Sequence, residues 1–172
     1  MKRPFFAVLG GMGTLATESY IRLVNRATHA HCDQDYLDYI VFNDSSVPDR
    51  TAYILGESDE NPLGSRKSGV YKRAVKEAGY TFVEPTDELQ ARITSLIYDD
   101  VKGSGELNLE RYESVLRDML DPAGPCACDT LILGCTELSV LNEAFPLPQL
   151  PVIDAQAVLV EDTVARAEAL RA

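Results

Sequence analysis

The sequence predicts an α/β fold, a mostly parallel sheet flanked by helices, and three observations carry that reading. Short apolar or β-branched runs at 5–9, 38–42 and 130–133 read as strands, the latter two buried on both faces. Between them lie stretches whose apolar residues recur at spacings of three and four, the period of an amphipathic helix. Glycine breaks follow two of the strands, at Gly10-Gly11-Met12-Gly13 and at Gly134, where a chain leaves a strand to begin a helix.

Taken in order, strand 5–9 leads through the glycine loop into a helix over 16–30, with Tyr20, Leu23, Val24 and Ala27 on one face and Thr14 as N-cap. Strand 38–42 ends at Asn43-Asp44 and completes a βαβ unit. Residues 45–50 form a loop with a turn at Pro48-Asp49, 51–55 begin a short helix, and 56–68 are a polar link holding Gly56, Pro62 and Gly64. A basic helix over 69–78 stops at Gly79, and a third strand, 80–83, is closed by Pro85. Two amphipathic helices follow, 87–101 and 108–120, the second capped by Asn108. After a turn at 122–125 come strand 130–133, a helix near 139–145, a last strand at 151–153 and a closing helix over 156–170.

Composition narrows the function. A chain of 172 residues builds one sizeable core or two very small ones. The net charge of −11, with no run of more than three basic residues, argues against a nucleic-acid partner. An anionic substrate must then be held by local donors against a repulsive overall field. No stretch is long and apolar enough to span a membrane, and the run at 5–9 is too short for a signal peptide. The four cysteines, Cys32, Cys126, Cys128 and Cys135, fit no zinc spacing, so no metal is expected. They read as reduced thiols of a cytoplasmic protein.

Cys135 stands out among them, at the carboxyl end of a strand where a helix begins. Open parallel sheets bind ligands at that edge, and a helix N-terminus favours the thiolate. The alternative is a small, inert core residue. Glu137 orients the thiol or pairs outward. The glycine loop, Gly11-Met12-Gly13-Thr14-Leu15-Ala16, also fits a dinucleotide fingerprint, but Asp44 lies 31 residues beyond Gly13, against about 20 for a ribose ligand. What remains is a general anion site of backbone N–H groups. Arg50 suits a carboxylate held by two hydrogen bonds, or a surface pair with Asp49 or Glu57. Asn43 contacts a ligand or satisfies the turn. His29 and His31 read as surface residues, and Cys126 with Cys128 as structural ones.

Together Gly10-Gly11-Met12-Gly13-Thr14-Leu15-Ala16-Thr17, Asn43, Val47-Pro48-Asp49-Arg50-Thr51 and Leu133-Gly134-Cys135-Thr136-Glu137-Leu138 resemble the aspartate/glutamate racemase family, in particular its aspartate racemase branch. Ser68-Gly69-Val70-Tyr71, Ile97-Tyr98-Asp99 and Pro151-Val152-Ile153-Asp154 extend the resemblance over nearly the whole chain. It implies an isomerase without cofactors, interconverting L- and D-aspartate by proton transfer between cysteine thiols and the α-carbon. By matching positions Cys135 is the acid/base group, and Met12, Gly13, Thr14, Asn43, Arg50, Thr136 and Glu137 bind the substrate. Arg50 points to a small acidic amino acid, aspartate before glutamate.

The family also has a middle section carrying a first catalytic cysteine, whereas here Glu60-Asn61-Pro62-Leu63 runs directly into Gly64-Ser65-Arg66-Lys67-Ser68. The resemblance therefore implies a fold truncated in the middle. Residues 1–63 are a first-domain remnant, and 64–172 a second α/β domain whose last strand and helix return to the first. Incomplete sheets imply a homodimer. The alternative function is a catalytically impaired remnant acting as a carboxylate-binding or interaction domain.

Overall fold

The computed structural model describes residues 5–10, 13–44 and 70–171. In chain order the elements are β1 (Phe5–Gly10), α1 (Thr14–Ala27), a 3₁₀ turn (Asp33–Asp35), β2 (Asp38–Asn43) and α2 (Val70–Glu77). Then come α3 (Asp87–Ser95), a π-helical segment (Leu96–Ser104), α4 (Leu109–Leu120), β3 (Leu131–Leu133), α5 (Thr136–Ala144), β4 (Val152–Asp154) and α6 (Ala155–Ala169). The described residues fall into two compact units, one drawn from Met1–Phe82 and Val160–Ala172, the other from Val83–Leu159. This is the α/β class that the alternation of runs predicts, with parallel strands and flanking helices.

In the first unit β1 and β2 pair in parallel from Phe5 opposite Asp38 to Gly10 opposite Asn43. The core gathers Val24 of α1, Leu37, and Val160 and Val164 of α6, with Phe6, Tyr20, Leu23 and Ala27 packed around them. Tyr20 and Thr163 share a hydroxyl hydrogen bond of 2.7 Å, and Arg171 donates to the carbonyls of Asp35 and Tyr36. These bonds hold α6 to α1 and to the turn before β2.

In the second unit β3 and β4 pair in parallel, Leu131 opposite Val152 through Leu133 opposite Asp154. Tyr112, Leu116 and Met119 of α4 form the core with Leu96, Leu131, Leu133 and Leu141. Tyr112 is fully buried, donates to Asn142 Oδ1 at 3.2 Å, and has its phenol pushed upward by burial and then by the nearby Asp154 charge. α3 is capped by Thr86, whose hydroxyl accepts from Leu89 N, and α4 by Asn108, whose side chain accepts from Arg111 N.

Several sequence expectations change. α1 begins at Thr14, so Thr14 is its first residue and Gly13 the N-cap, with φ 112. That left-handed backbone costs glycine little and threonine much. Residues 80–83 form no strand: Tyr80 N bonds back to Val75 O at 3.0 Å, and Pro85 lacks an N–H for a ladder. β2 is not buried on both faces, since Ile40, Val41 and Phe42 are all exposed, as is Leu9 of β1. β3 alternates instead, with Leu131 and Leu133 buried and Ile132 exposed. Both sheets have two strands among the described residues, which leaves apolar positions uncovered. The helix expected over 87–101 gives way at Leu96 to the π-helical segment. The short helix expected over 51–55 lies outside the described residues.

Leu141 is fully buried on α5, whereas Val158 of α6 is 53% exposed. Leu141→Ala should cost about 2–5 kcal/mol, and Val158→Ala about 0.5 kcal/mol or less. Urea unfolding of the two variants measures the contrast; equal losses would contradict this core.

Candidate active site

The thiol is placed by the way β3 ends. Gly134 leaves the strand, and Cys135 becomes the N-cap of α5 with extended backbone, φ −116 and ψ 130. Its carbonyl accepts from Leu138 N at 3.0 Å and Ser139 N at 3.3 Å, closing the first turn. The half-buried thiol thus stands beside the positive end of the helix dipole.

Glu137 is the centre of the site. Cys135 Sγ donates to its Oε2 at 2.8 Å, and Thr136 Oγ1 donates to the same oxygen at 3.3 Å. The other oxygen, Oε1, faces Lys102 Nζ at 3.3 Å. The Glu137 side chain is 7% exposed and that of Lys102 38%. Burial pushes the Glu137 carboxyl upward, but the thiol hydrogen bond and the Lys102 ammonium outweigh it and hold the group below the usual carboxylate range. Glu137 is therefore an anion at neutral pH. Lys102 sits on the π-helical segment with its ammonium 4.7 Å from the centre of the Tyr98 ring, a cation–π contact.

A second group forms in the first unit, at the carboxyl ends of β1 and β2. Asn43 Nδ2 donates to Thr14 Oγ1 at 3.1 Å, and Gly13 O accepts from Thr17 N at 3.1 Å. A side chain at Gly10 would collide with Thr17 and Asn43, so glycine is required where β1 meets α1. A groove of about 580 Å³ opens there, lined in part by Thr14, Thr17, Asn25 and Asn43.

Of the residues that the sequence singles out, Cys135, Thr136 and Glu137 are thus joined by hydrogen bonds, and Gly13, Thr14 and Asn43 form a separate group. Met12 and Arg50 lie outside the described residues. Cys32 is exposed before β2, Cys126 is buried, and Cys128 is half-buried with its thiol pushed upward by burial. His29 is exposed and faces Glu168 at 3.6 Å. Among the described residues no cluster of His, Cys, Asp and Glu suits a metal ion. Sequence reasoning missed Lys102, which meets Glu137 from 35 positions away along the chain and carries no local signal of that contact.

A carboxyl held below its unfolded value near 4.5 adds stability above that pH and loses it as pH falls through the folded value. Wild-type stability should therefore fall more steeply below pH 4.5 than that of Glu137→Gln. Urea midpoints taken across the acid range test this; parallel curves would contradict an ionised, paired Glu137.

The model of Asp/Glu/hydantoin racemases matches residues 61–163. Among solved structures, the Picrophilus torridus aspartate racemase matches with a TM-score of 0.65 and 18% identity, over 94% of this chain and 95% of that one. At that identity the likeness shows the fold. The family match spans well over half of the chain, and includes β3, the thiol and its carboxylate partner. The chain belongs to the Asp/Glu/hydantoin racemase family, a family of isomerases.

Proposed function

We propose that the protein is an amino-acid racemase acting without a cofactor on a small acidic amino acid, aspartate before glutamate, with Cys135 as its acid/base group. The observation that carries this reading is the bond of 2.8 Å from Cys135 Sγ to a buried, ionised carboxylate at the start of a helix. As base, the Cys135 thiolate takes the α-proton: the Cα–H bond breaks and an S–H bond forms. As acid, the thiol returns that proton to carbon. Glu137 fixes the direction of the S–H group, and Thr136 shares its oxygen. The N–H groups at the start of α5 and the Lys102 ammonium supply local positive charge for a carboxylate in a chain of net charge −11. Gly13, Thr14 and Asn43, with Met12 and Arg50 from the sequence, are the proposed remaining contacts. The aspartate racemase among the structural relatives supports the choice of substrate.

Racemisation needs a second proton donor on the opposite face of the α-carbon. One observation favours a second reading, a carboxylate-binding domain with half of the chemistry. Cys32 precedes β2, Cys126 and Cys128 precede β3, and neither site is the carboxyl end of a strand.

Proton NMR of L- and D-aspartate in D₂O tests both readings. The racemase should exchange the α-proton and form the other enantiomer, and Cys135→Ala should lose about 10²-fold or more of that rate. Exchange of one enantiomer without conversion would support the second reading. Exchange with neither would overturn the enzymatic one.

A further inference from the structure

The carboxylate beside the thiol poses an electrostatic problem. To act as a base, Cys135 must become a thiolate 2.8 Å from Glu137 Oε2, and two anions in contact oppose each other. A cation relieves this: Lys102 Nζ lies 3.3 Å from the other oxygen of the same carboxylate. Among the described residues, Cys135 from the loop before α5 and Lys102 from the π-helical segment are the titratable groups acting on Glu137. The two oxygens are divided between them, with Oε1 to the ammonium and Oε2 to the thiol.

We propose that Lys102 is a positioning residue for proton transfer: it neutralises Glu137, so that the carboxylate orients the thiol without preventing its ionisation. Lys102 acts through Glu137 and needs no contact with the reacting carbon. The Tyr98 ring, four residues earlier on the same π-helical segment, holds the ammonium in place. Such segments occur often at functional sites. The inference rests on Cys135 as the proton-transferring group, but its test requires no turnover.

The experiment is the pH dependence of Cys135 alkylation by iodoacetamide in the full chain, read by mass spectrometry on the peptide holding Cys135. In Lys102→Gln the midpoint should rise by about one pH unit, a roughly tenfold loss of rate at pH 7. Lys102→Arg should keep the wild-type midpoint. The double variant Lys102→Gln/Glu137→Gln should return to it, because the uncompensated carboxylate is gone. If Lys102→Gln does not fold, Lys102→Met makes the same test, since it removes the ammonium and keeps an unbranched stem, and its midpoint should rise likewise. An unmoved midpoint in the variant that lacks the ammonium would overturn the proposal. So would a shift that persists in the double variant, since Lys102 would then act on the thiol directly. Shifts as expected in a protein that does not exchange the α-proton of aspartate would refute the racemase reading and leave Lys102 as the group that governs the ionisation of Cys135 through Glu137.

Discussion

The Asp154 carboxylate ties together the elements that place the thiol. One oxygen accepts from Ser139 Oγ at 2.7 Å and from the backbone N–H groups of Gln156 and Ala157, while the other accepts from Asn142 Nδ2 at 3.2 Å. A single side chain at the end of β4 thereby satisfies N–H groups at the start of α6 and clamps two turns of α5. α5 is also the helix that begins at Cys135 and carries Glu137. Asn142 in turn accepts from Tyr112, at the centre of the core. The direction of α5 is thus fixed by a chain of bonds running from the core through β4, and the thiol inherits that direction.

Against this network the sheets look sparse. β3 and β4 have three residues each, and their partners among the described residues are each other. Ladder bonds over so short a length give little independent stability, since an isolated strand pair is marginal in water. The fold leans on helix packing and polar clamps instead: Arg92 to Asp118 and Ser114 across α3 and α4, and Arg111 to the buried Asp100. Many of the exposed apolar side chains follow from the same economy. Leu9, Ile40, Val41, Phe42, Ile132 and Ile153 all lie on strands.

The sequence shows some of this and hides the rest for identifiable reasons. Element order is readable because the glycine breaks and the three-to-four spacing are local signals. Burial of strands is not: an apolar run implies cover on both faces, and whether cover exists depends on distant parts of the chain. The expected strand at 80–83 fails likewise, since strand-forming residues need a neighbour to bond. At the site, Cys135, Thr136 and Glu137 are legible because they are consecutive and follow a glycine break. Lys102 is not, because it meets Glu137 from 35 positions away along the chain. Its approach also depends on a switch from α- to π-helical winding at Leu96 that no periodicity announces.

The Lys102–Glu137 pair also bears on how an acidic protein would hold the acidic amino acid proposed as its substrate. Overall charge repels anions, so attraction must come from a few groups at short range, where nearby charges outweigh distant, screened ones. A lone buried carboxylate at the thiol would work against that attraction. A lone ammonium would favour the thiolate but offer the S–H group no carboxylate acceptor. Paired, they contribute little net charge while the carboxylate still accepts a directional hydrogen bond. The Lys102 side chain remains partly exposed, and an ammonium has three donors, more than one carboxylate oxygen uses. Neither residue can be judged singly: removing the lysine leaves a buried anion without its ion-pair partner, and removing the glutamate takes the carboxylate from the cation and from the thiol at once.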